Sequence, residues 1–177
     1  MNSAAPDPGR RTLALSGEIL ALSTEAIALL IARSDTLATA ESLTGGMVAV
    51  ALTSVPGASA AFRGGVVSYA TDLKAALLGV PADLLARHGA VHPEVAVAMA
   101  EGACDRLEAS VGVATTGVAG PEPADGQPVG TVHIAVTADG ATATRALALS
   151  GDRHQIRVAT VEQALGLLVG MLREDKL

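Results

Sequence analysis

The chain has 177 residues, a net charge of −6, one Phe, one Tyr and no Trp, and half of it is hydrophobic. Its twelve basic residues are scattered singly apart from Arg10-Arg11, so neither a basic stripe nor an aromatic surface is available for nucleic acid. One cysteine, Cys104, excludes an intrachain disulfide, and the longest apolar run, Ala164 to Leu172, is nine residues against the roughly 18 of a membrane span.

Residues 1–14 contain Pro6, Pro8 and Gly9 and no apolar signal-peptide core, and they read as a flexible tail before a single domain over 15–177. The protein is therefore expected to be soluble and cytoplasmic. From Gly17 to Arg33, Ile19, Leu22, Ala26, Leu29 and Leu30 recur at helical spacing and predict a first helix. Thr36 to Ala40 reads as a strand, and Thr44 to Thr53, with Met47, Val48, Ala51 and Leu52, as a helix. Between them stand Glu41, Ser42, Thr44, Gly45 and Gly46. Such a turn aims free backbone N–H groups and the positive end of a helix at one point, which suits a phosphate or an oxyanion. The alternative is a plain cap, with Ser42 or Thr44 closing the helix start.

Residues 53–59 hold helix breakers and predict a loop. Gly65 to Ala70 predicts a strand, and Thr71-Asp72 caps a helix that begins near Leu73 and ends at about Gly79. Pro81 starts a short helix before Gly89, residues 88–93 turn, and Pro93 to Leu107 is a long helix. Cys104 falls in this Ala-rich stretch and reads as a small core residue. Ser110 to Thr116 predicts a strand and 117–130 a Gly- and Pro-rich loop. Thr131–Thr137 and Ala141–Leu149 predict a hairpin about Asp139-Gly140. Ser150 or Asp152 then caps a last helix reaching about Arg173. Helices alternating with strands and closed by one hairpin predict an α/β class, a three-layer α/β/α sandwich on a mixed sheet of about five strands.

Three stretches, 41–46, 62–74 and 115–121, place small or polar residues at the ends of predicted strands, where open α/β sheets bind ligands. The second holds both aromatics, Phe62 and Tyr69, and Lys74, one of two lysines in the chain. Ser42 as a nucleophile needs a base, and a Ser–Lys arrangement needs a neutral lysine. Poising an amine of ordinary pKa about 10.4 near 7 costs about 4 to 5 kcal/mol, which an apolar, low-charge pocket supplies by desolvation. Tyr69 could relay the proton or orient Ser42. The other reading is a surface lysine and a core tyrosine. His88 and His92 are four apart, but Gly89 and Pro93 argue against a helix there, and no third metal ligand is near in sequence. Thr115, Thr116, Gly117 and Gly120-Pro121 form a second turn that either lines a nucleotide or simply ends a strand; no G-K-[ST] follows, so it is not a Walker loop.

The segments A-E-S-L-T-G-G, P-G-A-S-A-A-F-R-G-G-V-V-S-Y, K-A-A-L-L-G-V from Lys74, H-G-A-V, T-G-V-A-G-P, P-V-G-T-V and S-G-D-R stand in an order that resembles the CinA C-terminal domain family over about residues 17–173. Members include nicotinamide-nucleotide amidohydrolases, which convert nicotinamide mononucleotide and water to nicotinate mononucleotide and ammonia. The resemblance implies a three-layer α/β/α fold, Ser42 as nucleophile or water activator with Lys74 and Tyr69 beside it, and no metal or cofactor. With the turn read above, it implies Glu41, Thr44, Gly45, Gly46, Thr116 and Gly117 around a small-molecule nucleotide. Arg153 either pairs with its phosphate or anchors the last helix. The family often carries a further N-terminal domain similar to molybdopterin-binding proteins, and this chain looks like the form without it. Leu43 stands where members often have Cys, and His92 where Ser is common. The competing expectation is a nucleotide-binding or regulatory module of the same fold without catalysis. The last helix is apolar on more than one side, which predicts either deep burial or a contact in a homo-oligomer.

Overall fold

A computed structural model of the chain describes residues 15–174; the expected tail, 1–14, lies outside them. Helix α1 runs Gly17–Arg33, with the Ser16 hydroxyl accepting from the N–H of Ile19. Strand β1 (Leu37–Glu41), helix α2 (Met47–Thr53), a 3-10 turn (Ala58–Ala60) and strand β2 (Phe62–Val67) follow. Then come α3 (Thr71–Leu78), α4 (Ala82–His88), α5 (Pro93–Leu107) and β3 (Val111–Gly117). The hairpin β4 (Thr131–Ala138) and β5 (Ala141–Ala148) leads into α6 (Arg153–Arg173).

The five strands form one sheet in the order β2-β1-β3-β4-β5. Strand β1 is parallel to both β2 and β3, whereas β4 and β5 are antiparallel, so the expected mixed sheet is present. The burial patterns explain the order. Every residue of β1 is buried, as a central strand covered on both faces requires, while β2 and β5 alternate and sit at the edges. One face packs on α1, α2 and α6 through Ile19, Leu30, Leu52, Leu165 and Leu168. The other packs on α3, α4 and α5 through Leu78, Val95, Met99 and a set of alanines.

The lack of aromatics shows in how near α5 lies to the sheet. Ala96, Ala100 and Ala103 meet Ala38, Ala40, Ala114 and Ala135 across this interface. A Cβ on Gly112 would stand 2.2 Å from the carbonyl oxygen of Ala100 and 2.8 Å from Cys104 Sγ. Cys104 is thus a half-buried packing residue, its thiol raised to about 11 chiefly by burial.

Three elements start two residues or more from where the sequence placed them, and β2 also ends early, at Val67 rather than Ala70. Helix α2 starts three residues late because Gly45 and Gly46 have φ of 59° and 94°, outside the right-handed helical region. Strand β2 starts earlier, at Phe62, because its glycines pair with β1 where side chains would not fit. A Cβ on Gly65 would lie 2.3 Å from Thr39 Oγ1. Helix α3 begins after Ala70, with no side-chain cap from Thr71 or Asp72. The hairpin turn at Asp139-Gly140 has φ of 52° and 77°, the paired positive values of a type I′ turn. Asp152, not Ser150, caps α6 in a reciprocal box with Gln155. Most apolar side chains of α6 point inward: Leu165, Leu168, Val169 and Leu172 are buried, and Leu167 and Met171 pack partly against them. Among the described residues no helix is long and apolar enough to cross a membrane.

Gly112→Ala should lower stability in urea unfolding by about 1–3 kcal/mol, because the backbone of α5 must retreat. Gly166→Ala, inside α6 with open space at its Cβ, should raise it by about 0.5–1 kcal/mol.

Candidate active site

The carboxyl ends of β1, β2 and β3 lie at one edge of the sheet, and the chain leaves each by a tight turn. After β1, Glu41 turns its side chain back under the start of α2. Oε2 accepts from the N–H groups of Gly46 and Val48 at 2.9 and 3.1 Å, and Oε1 from that of Ala49 at 2.9 Å. A buried carboxylate thus fills the place that the sequence offered to a substrate anion, and neither Ser42 nor Thr44 caps the helix. Thr44 is instead tied across the strands, its hydroxyl 2.8 Å from that of Thr115.

Ser42, the next residue, is held by its N–H donating to Thr115 O at 2.9 Å, and its carbonyl accepts from the N–H of Gly45 at 3.1 Å. The N–H groups of Leu43 and Thr44, inside that turn, take no acceptor among the described residues. The side chain of Ser42 meets Lys74, the fourth residue of α3. Lys74 is 0% exposed, and Nζ lies 3.1 Å from Ser42 Oγ, 2.7 Å from Ser68 O and 3.5 Å from Tyr69 O. A charged amine donates to all three. A neutral one satisfies both its hydrogens on the two carbonyls and turns its lone pair to the Ser42 hydroxyl. Burial lowers the pKa of Lys74 from 10.5 to about 8, against a smaller upward pull from the Asp125 carboxylate. Its place in the first turn of α3 disfavours the charge further, since that is the positive end of the helix. The neutral lysine that the sequence reading required is thereby within reach of neutral pH.

The pair opens into a cavity of about 230 Å³. Leu43, Tyr69, Thr116, Gly117, Asp125 and Arg153 stand among its walls. Thr116 holds the floor: its hydroxyl donates to Ala90 O at 2.7 Å, and Asp125 accepts from the N–H of Ala90 at 2.7 Å. Arg153 donates to Gly120 O and to the Tyr69 hydroxyl, both at 2.7 Å.

Of the residues singled out in the sequence, Ser42, Lys74, Tyr69, Thr116, Gly117 and Arg153 therefore meet at one cavity. Glu41, Thr44, Gly45 and Gly46 lie behind it and shape the turn. Tyr69 is neither a core residue nor in contact with the pair through its phenol. It is 57% exposed, engages Arg153 through the hydroxyl and approaches Lys74 only with its backbone carbonyl. His88 and His92 stack with ring centroids 4.1 Å apart. Among the described residues no three His, Cys, Asp or Glu side chains gather to hold a metal ion. Asp125 was missed because a Gly- and Pro-rich loop gives no periodic signal, and Leu43 because an apolar residue hides the use of its backbone.

A doubly covered α/β sheet with a buried serine–lysine pair in an open cleft at the ends of its parallel strands defines the class. The model of the CinA C-terminal domain matches residues 20–172. A CinA-like protein of Frankia casuarinae is 56% identical over 146 residues, 82% of this chain and 34% of that protein. One from Anaeromyxobacter dehalogenans is 51% identical over 148 residues, 83% of this chain and 36% of its own. The chain thus spans about a third of the length of these curated relatives. Among solved structures, the competence/damage inducible protein CihA from Agrobacterium tumefaciens superposes with a TM-score of 0.86 at 37% identity, over 90% of this chain and 99% of that one. A competence-damaged protein (CinA) superfamily protein from Enterobacter cloacae gives 0.85 at 32%, over 97% and 98%. The chain belongs to the CinA C-terminal domain family.

Glu41→Gln weakens a charge-assisted cap on three N–H groups, and the midpoint of urea unfolding should fall by the equivalent of about 2 kcal/mol. Lys74 has a lowered folded pKa, so the unfolded chain binds the extra proton between about pH 8 and 10.5. Stability should therefore rise with pH across that window, and Lys74→Met should abolish this rise in unfolding free energies measured from pH 7.5 to 10.5.

Proposed function

We propose that this chain hydrolyses the carboxamide of nicotinamide mononucleotide, giving nicotinate mononucleotide and ammonia. The observation that carries the reading is the 3.1 Å contact between Ser42 Oγ and a fully buried Lys74 amine whose pKa is lowered to about 8. Ser42 Oγ attacks the carboxamide carbon as its proton passes to the neutral Lys74. The carbonyl oxygen becomes an oxyanion beside the N–H groups of Leu43 and Thr44, the free donors nearest the nucleophile. Lys74 then protonates the amide nitrogen, the C–N bond breaks, and ammonia leaves an acyl group on Ser42. Water adds to that ester as Lys74 takes its proton. Collapse expels Ser42 Oγ, which recovers the proton and frees the acid.

The remaining walls suit the rest of the nucleotide. Tyr69 offers an exposed ring, and Arg153 a guanidinium at the cavity rim for the phosphate. Thr116, Gly117 and Asp125 line the floor and far wall. The competing reading, a nucleotide-binding module without turnover, uses the same walls but gives no account of a lysine buried against a serine.

Purified Ser42→Ala should release ammonia from the mononucleotide at least about 10³-fold more slowly than wild type while still binding the product mononucleotide. Ammonia release by wild type should rise with pH on a limb centred near 8, where Lys74 loses its proton. Tight nucleotide binding by wild type with no ammonia formed would favour the module instead.

A further inference from the structure

Arg157 lies one helical turn beyond Arg153 on α6 and is half-buried. It makes no ion pair among the described residues. Its Nε donates to Leu43 O at 2.9 Å and its Nη2 to Thr44 O at 2.8 Å. These carbonyls follow directly on Ser42. An arginine that only solvated a helix face would not place both arms of its fork on two successive carbonyls of a turn 113 residues away.

The consequence follows from the planarity of the peptide bond. In a trans peptide the C=O and the following N–H point in opposite directions. Fixing Leu43 O therefore fixes the N–H of Thr44, and fixing Thr44 O fixes the N–H of Gly45. The latter donates to Ser42 O, so the guanidinium reaches the backbone of Ser42 through one intervening peptide. The former is one of the two free donors of the turn. Gly45 and Gly46, both at positive φ, leave this turn a wide choice of backbone angles, which Glu41, the Thr44–Thr115 contact and Arg157 together restrain. α6, by contrast, is anchored by Asp152, by Arg153 on Gly120 O, and by buried Ile156 and Thr160. We propose that Arg157 is a positioning residue: it transmits the rigidity of α6 to the Ser42 turn, setting the serine hydroxyl and the Thr44 N–H for attack and oxyanion binding. This rests on the amidase reading for its substrate but not for its geometry.

The test compares wild type, Arg157→Met and Arg157→Lys. The lysine keeps charge and most of the volume but offers a single nitrogen in place of a planar two-armed fork, so the fixed geometry on the two carbonyls is lost and it decides the question if the methionine variant does not fold. Turnover of the mononucleotide should fall about 10- to 100-fold in kcat with KM within about threefold, and the acid limb should remain near 8 because Lys74 is untouched. Labelling of Ser42 by a fluorophosphonate should slow in parallel. Arg173→Gln, at the far end of the same helix, breaks only its surface pair with Glu25 of α1 and should leave both rates unchanged. Folded Arg157→Lys with kcat and labelling within twofold of wild type would overturn the proposal, as would a loss confined to KM. If wild type labels at Ser42 but forms no ammonia, the amidase reading fails and the labelling rates alone decide the role of Arg157. If wild type does neither, both ideas fall together.

Discussion

The ε-amine of Lys74 has no exposed surface at the cavity wall, with two carbonyls and one hydroxyl as its nearest partners. Among the described residues no carboxylate touches it; Asp125 acts only through space. An ammonium ion in that setting has lost its hydration without gaining a counter-ion, and the neutral amine gains by comparison. The tension is resolved at Ser42, the one partner that can give a proton as well as receive one. The surrounding fold serves to bury this amine and to hold its three oxygen partners in place.

Chain topology supplies those oxygens economically. Ser68 and Tyr69 end the β2 connection, and the first turn of α3 carries Lys74 back over them. Ser42 arrives from the neighbouring strand β1, hydrogen-bonded on its far side to β3. Two parallel strands and one helical turn therefore converge from separate directions. Glu41 makes the convergence possible by answering the start of α2 from within, which leaves the N–H groups nearest Ser42 uncommitted. The alanine-lined interface lets α5 lie close under the sheet, and the turn before it brings Ala90 and Val91 up to the cavity floor.

Much of this was legible in the sequence. The periodicity of Ile19 to Leu30, the Asp139-Gly140 pair and the Val-Gly-Val-Ala run of β3 each had one physical reading, and the sheet followed from their order. The rarity of lysine drew attention to Lys74, and its pairing with Ser42 is realised at hydrogen-bond distance. What stayed hidden depends on direction rather than residue type. Nothing in A-E-S-L-T-G-G says whether a glutamate faces the ligand or its own helix, and the two conformations differ by a few backbone angles at Gly45 and Gly46. Tyr69 could be assigned to the core or the rim with equal justice until Arg153 was seen to reach it. Arg157 was invisible because its partners are main-chain oxygens, which every residue possesses.

The segment between β3 and β4 departs and returns at the same place. Val118 and Gly130 are joined by a hydrogen bond of 2.8 Å, and Val118 donates in turn to Thr131 O. The eleven residues in between hang from a closed neck while supplying Asp125 and Glu122 to the cleft. Such an excursion can lengthen, shorten or change sequence without disturbing strand register. Diversification of ligand preference thus has a natural outlet in this fold, on a segment that makes no hydrogen bond to the serine or its amine.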